Sequence, residues 1–111
     1  MKHWSDWEPF PNPTAGGYLI APFGPGVYEL KNRKIDKMVL FGMGKNVAYR
    51  MSSLLPAPLG CGIRNNQEKR EYVLVNLTDI LYRTKACSTR QEAVAEEAVL
   101  RQGRDEYIFP D

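Results

Sequence analysis

The sequence has few of the side chains that usually transfer protons or bind transition metals. His3 is the only histidine, and Cys61 and Cys87 are the only cysteines. No Cys-x-x-Cys pair or Cys/His spacing of a zinc site is present, and two cysteines without an export signal are expected to be free thiols. His3 lies near the N-terminus, so we expect it to be solvated. In an enzyme, proton transfer would therefore fall to tyrosine, lysine, a carboxylate or a metal-bound water.

Long apolar runs and strong net charge are also lacking. No run approaches the roughly 20 apolar residues that cross a bilayer, so no membrane association is expected. Residues 1–10 contain tryptophans, acidic residues and proline, unlike a signal peptide, which leads us to expect a cytoplasmic protein. The formal charge of +2 permits nucleic-acid binding only through local basic patches. A chain of 111 residues, 43% of them hydrophobic, is expected to form one small domain.

Residues 1–24 are predicted to form an arm, because recurring prolines and glycines disfavour helices and central strands. The arm nevertheless carries more large apolar side chains than a solvated tail would: Trp4, Trp7, Phe10, Tyr18, Leu19 and Ile20. We expect these side chains to cover an edge or an apolar face of the domain formed by residues 25–111. The alternative is that the arm binds a partner or a second copy of the chain.

The pattern of residues 25–111 predicts an α+β domain with a small, mainly antiparallel sheet of three strands flanked by helices. The predicted strands are Val27–Leu30, Lys37–Gly42 and Ile80–Lys85. The continuous apolar run within the second strand is typical of a strand that is buried on both faces. The first two strands are expected to form a hairpin with a basic turn.

Three helices are predicted between and after these strands. The first runs from about Val47 to Leu55 after a cap at Asn46, the second runs from Gln67 to about Leu77 after a cap at Asn65 or Asn66, and the third lies between Ser88 and Gly103. Ser88 and Gln91 have the spacing of a capping box. Residues 72–74 also fit a strand, and residues 107–110 are apolar enough to pack back on the domain or add a short strand.

Two short segments on the hairpin have the order and spacing of a known family. Gly26-Val27-Tyr28 lies on the first strand, Leu40-Phe41-Gly42 lies on the second, and Lys45-Asn46 and Arg50 follow. In these residues the chain resembles the GIY-YIG nuclease family, which carries its two motifs on neighbouring strands of a three-stranded sheet. The segment 92–97 is similar to the family's helix that carries a metal-binding glutamate. The resemblance covers roughly residues 24–104.

The resemblance implies a small endonuclease that hydrolyses phosphodiester bonds in DNA. By analogy, Tyr28 orients or deprotonates the attacking water, Arg50 holds the scissile phosphate, and Glu97 binds one Mg²⁺ or Mn²⁺ ion, with Glu96 in its place if the helix register differs by one. A guanidinium meets phosphate oxygens with two parallel hydrogen bonds, and a divalent cation neutralises further charge and lowers the pKa of bound water. Two-strand cutting by so small a domain would require a homodimer.

Basic and polar residues near these segments are candidates for binding the nucleic-acid backbone: Lys45, Asn46, Arg64, Lys69 and Arg70. A second basic group lies in the hairpin turn: Lys31, Arg33, Lys34 and Lys37. The alternative is that both groups are solvated charged faces, since acidic residues lie among them.

The chain departs from the family pattern at three positions. The tyrosine of the second motif is Leu40, the lysine that can follow that motif is Met43, and a later tyrosine is Leu54. These apolar replacements keep open a catalytically inactive domain that binds nucleic acid. The Trp-rich arm keeps open a third possibility, a protein-interaction module. The sequence does not distinguish DNA from RNA as the substrate.

Overall fold

The computed structural model describes residues 3–11, 21–52 and 67–110, except for the side chains of Tyr49, Arg50, Ser52 and Gln67. The predicted α+β class is confirmed, and the sheet is antiparallel. Its strands are β1 (Glu8–Pro9), β2 (Gly26–Asn32), β3 (Lys37–Gly44) and β4 (Ile80–Ala86). The helices are α1 (Val47–Ser52), α2 (Gln67–Val75) and α3 (Arg90–Gln102). Short 3₁₀ turns cover Leu77–Asp79 and Arg104–Glu106.

The strand order is β1-β4-β2-β3, so β2 is hydrogen-bonded on both sides. The three predicted strands correspond to β2, β3 and β4, but the predicted count of three is not confirmed because the arm adds β1. Tyr28 in the middle of β2 pairs with Gly42 of β3 and with Thr84 of β4. The β2–β3 hairpin turns through Asp36, whose φ of 51° is tolerated by aspartate more readily than by most residues.

Successive side chains along each strand point to opposite sides, so the sheet has two distinct faces. The first, called here the α1 face, carries Tyr28 and Leu30 of β2 and packs on α1 and α2. It holds the main hydrophobic core: Phe10, Tyr28, Leu30, Val39, Leu40, Val47, Met51, Val73, Ile80 and Tyr82. The opposite face, called here the α3 face, carries Val27 and Glu29. It packs on α3.

Both edges of the sheet are partly covered by the ends of the described chain. At the β4 edge, the Phe10 N–H donates to the Ile80 carbonyl at 2.9 Å, and the buried Phe10 ring meets Tyr82 edge-on. At the β3 edge, the N–H groups of Ile108 and Phe109 donate to Met38 and Val39 at 3.1 and 2.8 Å. The prediction that the apolar tail packs back on the domain is therefore confirmed. The boundary between arm and domain at residue 24 stays a prediction.

Helix ends differ from the sequence predictions in detail. The predicted capping box at Ser88 is wrong by one residue, because Thr89 has an extended backbone and its hydroxyl accepts from the Glu92 N–H at 3.1 Å. Residues 72–74 are helical rather than extended, and α2 ends at Val75, before the predicted Leu77. The predicted caps at Asn65 and Asn66 and the helix end at Leu55 lie outside the described residues. No helix in the described ranges has the length and apolar character of a membrane span.

Gly42 is a position where the sheet tolerates little additional volume. A Cβ atom at Gly42 would lie 2.5 Å from Cζ of Tyr28, whereas one at Gly24 would meet nothing within 4 Å. We expect Gly42→Ala to lower the free energy of unfolding by about 1–3 kcal/mol, because the ring must leave its rotamer or the strands must separate. Gly24→Ala, the matched control, is expected to change it by less than about 0.5 kcal/mol. Urea denaturation of both variants measures the difference, and equal stabilities would contradict this packing.

Candidate functional site

Tyr28 lies on the α1 face and is 6% exposed. Its side chain lies over Gly42 of β3, where the absence of a side chain leaves space for the phenol ring. Because β3 is an edge strand, the ring runs from the centre of the sheet toward that edge. Tyr28 is therefore both a core residue and a group whose hydroxyl lies over the edge strand.

Glu96 and Glu97 on α3 have different partners. The Nζ atom of Lys85 donates to Oε2 of Glu96 at 3.0 Å, which directs Glu96 toward β4. Oε1 of Glu97 lies 3.5 Å from Nη2 of Arg101, one helical turn further on, and the Glu97 side chain is 23% exposed. A shallow, open groove runs along this side of α3 and is lined by Val94, Glu97, Ala98, Arg101 and Gln102.

The groove and the Tyr28 ring approach the same stretch of β3 from its two faces. The guanidinium of Arg101 lies 5.5 Å from the centre of the Phe41 ring. Phe41 precedes Gly42 and points to the α3 face, whereas Tyr28 crosses Gly42 on the α1 face. Tyr28 and Glu97 thus lie on opposite faces of the sheet. The described structure does not bring these two side chains together in one pocket, and their catalytic roles stay predictions.

The remaining predicted residues are distributed over α1, α2 and the turn after β3. Arg50 belongs to α1, but its side chain lies outside the described part of the structure. Lys45 is exposed and Asn46 is half-buried in the turn between β3 and α1. Two further predicted contacts, Lys69 and Arg70, are half-buried on α2. Arg64 lies outside the described residues.

The number of carboxylates near Glu97 limits which metal ions this part of the structure could bind. Among the described residues, no group of three His, Cys, Asp or Glu side chains gathers into a metal cage. Mg²⁺ usually binds proteins through one or two carboxylates and completes its octahedron with waters and substrate phosphates. Glu97 is half-buried and offers one carboxylate, which pairs with Arg101; that it binds a divalent ion stays a prediction.

A buried polar network on the α3 face was not predicted from the sequence. Glu29 is 3% exposed, and its Oε1 accepts from Nε and Nη2 of Arg83 at 2.8 and 2.6 Å. Its Oε2 accepts from the hydroxyl of Tyr107. Burial, together with the hydrogen bond to Glu29, raises the pKa of Tyr107 above its usual range. No buried side-chain nitrogen or oxygen in the described ranges lacks a partner.

Two tryptophans of the arm extend this network outward. The guanidinium of Arg83 lies 4.4 Å from the Trp4 ring centre and 4.6 Å from that of Trp7, and Lys31 lies 4.9 Å from Trp7. Trp4 and Trp7 therefore cover the α3 face beside β4, whereas Phe10 packs in the core of the α1 face. Tyr18, Leu19 and Ile20 lie outside the described residues. The sequence signal for the network is a glutamate within an apolar strand, but its partner Arg83 follows only from the β2–β4 register.

Removing the Arg83 guanidinium from this network should lower the stability of the fold. We expect Arg83→Met to lower the free energy of unfolding by about 3 kcal/mol, because it leaves Glu29 buried without its ion pair. Arg33→Met is the matched control: Arg33 is 57% exposed, and its Nε lies 3.9 Å from Asp79. The control is expected to lose at most about 1 kcal/mol. Equal losses of stability for the two variants in chemical denaturation would contradict a structural role for the buried Glu29–Arg83 pair.

The raised pKa of Tyr107 predicts a loss of stability in alkali. The unfolded chain releases the tyrosine proton near pH 10, and the folded chain holds it to higher pH, so stability falls once pH exceeds about 10. Tyr107→Phe removes this contribution, and its stability should fall less steeply across the same range. Thermal unfolding measured from pH 8 to pH 11 gives both slopes. Parallel slopes would show that Tyr107 titrates alike in both states.

Comparison with known proteins gives no independent assignment. No protein-family model, no curated protein and no solved structure matches this chain. The function must therefore be inferred from the residues and geometry of the site itself.

Proposed function

We propose that this chain is a GIY-YIG-like endonuclease domain that hydrolyses phosphodiester bonds in DNA. The observation that carries the proposal is that the two strands with the motif segments are neighbours in the sheet. Gly26-Val27-Tyr28 lies on the central strand β2, and the Tyr28 ring crosses Gly42 of the neighbouring strand β3. Helix α1, which includes Arg50, follows β3 directly, and α3 with Glu97 packs under the same two strands.

In this proposal each residue has a separate task at the β3 edge. Tyr28 orients or deprotonates the attacking water, and Arg50 binds the scissile phosphate through a planar pair of donors. Glu97 holds one Mg²⁺ or Mn²⁺ ion, which when bound neutralises phosphate charge and lowers the pKa of a coordinated water. The exposed Lys45, next to Gly44 at the end of β3, contacts the nucleic-acid backbone. A cytoplasmic location and a homodimer for two-strand cutting complete the proposal.

A domain that binds nucleic acid without cutting it is the second candidate. It is favoured by Leu40, which is 1% exposed in the core where the resemblance expects a second tyrosine. It predicts binding that weakens with salt and no cleavage products. The third candidate, an interaction module based on the arm, receives less support, because Trp4 and Trp7 already pack on Arg83 within the domain.

Glu97→Gln tests the proposed nuclease most simply. With labelled duplex and branched DNA in Mg²⁺ or Mn²⁺, we expect the variant to lose cleavage by roughly 100-fold or more, because it lacks the carboxylate that holds the ion. Glu96→Gln removes the same charge at the adjacent helix position, where the glutamate pairs with Lys85, and should cut within a few-fold of wild type. Circular dichroism should confirm that both variants are folded.

Two results would contradict this assignment. Cleavage by Glu97→Gln at the wild-type rate would exclude Glu97 as the metal ligand. Absence of cleavage by the wild-type protein, together with salt-sensitive DNA binding, would favour the non-cutting domain instead.

A further inference from the structure

Phe23 is the most exposed large apolar side chain among the described residues, at 84%. Its neighbours on both sides are held by backbone hydrogen bonds. The Pro22 carbonyl accepts from the Ala48 N–H at 2.8 Å, and the Gly24 carbonyl accepts from the Val47 N–H at 3.1 Å. The segment that carries Phe23 is therefore fixed on the first turn of α1, with the ring in solvent.

The same segment is anchored at its two ends. Ala21 packs against the main core, and the Pro25 carbonyl accepts from the Cys87 N–H at 2.8 Å. Pro22 and Pro25 also restrict the backbone, because proline fixes φ. A single exposed apolar residue is ordinary on a protein surface, but one held outward by a bonded segment loses little conformational freedom on binding. Phe23 therefore has the properties of a preformed contact residue.

A basic side chain lies close to this ring. The residue before Lys45 pairs with Gly26 of β2. Val47, two residues after Lys45, bonds to the glycine beside Phe23. Lys45 is exposed, so a phenyl ring and an ammonium group reach solvent from one short region at the start of α1, the helix that includes Arg50.

The surroundings of Phe23 favour a nucleic acid over an apolar protein partner. The core of a protein interface is an apolar patch of several side chains. The other exposed large apolar side chains in the described ranges lie on the hairpin turn, α2 and α3: Ile35, Leu74, Val75, Val94 and Val99. A lone ring beside a cation instead matches a base next to a phosphate.

We propose that Phe23 stacks on an unpaired base of the nucleic acid while Lys45 contacts the adjoining phosphate. This inference rests on the proposed function and names its substrate class, DNA with single-stranded or displaced nucleotides. Aromatic rings bind single strands by stacking on base faces, and nearby cations bind the backbone. In a continuous duplex the base faces are covered by neighbouring pairs, so a ring enters only by unstacking a step. Phe23 therefore favours unpaired over paired DNA.

Substitutions at Phe23 should change the affinity for one form of DNA only. Phe23→Ala should bind a duplex with a central unpaired loop about tenfold more weakly than wild type, and the same duplex fully paired within about twofold. Phe23→Trp should retain the affinity for the loop, because it keeps a flat aromatic face. Phe23→Leu should lose it, because an aliphatic side chain is apolar but has no ring.

The ammonium group should act differently, because phosphates are present in both forms of DNA. Lys45→Gln should weaken binding of the looped and the fully paired duplex to a similar degree. Its salt dependence should fall by about one phosphate contact for each.

Fluorescence anisotropy with labelled DNA in EDTA measures these affinities without cleavage or a bound metal ion. Val75→Ala is the matched control, since Val75 is 82% exposed at the end of α2. This variant should bind both DNAs as wild type does. Thermal unfolding of every variant shows whether it is folded, and cleavage is measured separately in Mg²⁺ or Mn²⁺.

The outcomes separate this inference from the proposed nuclease. If Phe23→Ala or Phe23→Leu binds the looped duplex as wild type does, stacking is wrong, and cleavage that depends on Glu97 leaves the nuclease standing. If wild type cuts neither DNA, yet Phe23→Ala loses the preference for the loop, the nuclease is wrong and stacking stands. If wild type binds neither DNA, both are wrong.

Discussion

The structure depends on the carboxylate of Glu29, which is buried in the central strand β2. A buried charge is tolerated only when it is paired and hydrogen-bonded, and here the partners come from β4 and from the C-terminal segment. The Arg83 guanidinium that pairs with Glu29 also lies beside Trp4 and Trp7 of the arm. One carboxylate thus joins the sheet, the arm and the chain end, and favours the strand register in which Glu29 and Arg83 meet.

This register also determines the position of the candidate site. With Glu29 directed to the α3 face, the preceding Tyr28 must point to the α1 face, where Gly42 leaves space for its ring. The α3 face instead receives Phe41, on which Arg101 lies next to Glu97. A phenol, a guanidinium and a carboxylate therefore approach one short part of an edge strand from two sides.

The fold could be predicted from the sequence to the extent that it depends on local patterns. The apolar run of β3 and the glycine that ends α3, Gly103, were sufficient to assign these two elements. The helix cap at Thr89 was missed because neighbouring Ser and Thr residues satisfy the same pattern. Strand β1 could not be predicted, since its two residues, one of which is Pro9, carry no periodic signal and pair only through tertiary contacts. The Glu29–Arg83 pair joins residues 54 positions apart, and no local pattern indicates it. The candidate site residues were chosen from a family resemblance. That Tyr28 and Glu97 lie on opposite faces of the sheet follows only from the strand register and the packing of α3.

The proposed function requires Glu97 to hold a divalent ion beside the Phe41–Gly44 part of β3, and paramagnetic relaxation by Mn²⁺ is the sharpest test of this requirement. In a ¹⁵N–¹H spectrum of the full chain, substoichiometric Mn²⁺ should broaden the amide signals of Glu97, Arg101 and Phe41–Gly44 most strongly. The signals of the Leu77–Asp79 turn should change least, and Glu97→Gln should abolish the effect. Broadening centred elsewhere, or unchanged by that substitution, would contradict the account.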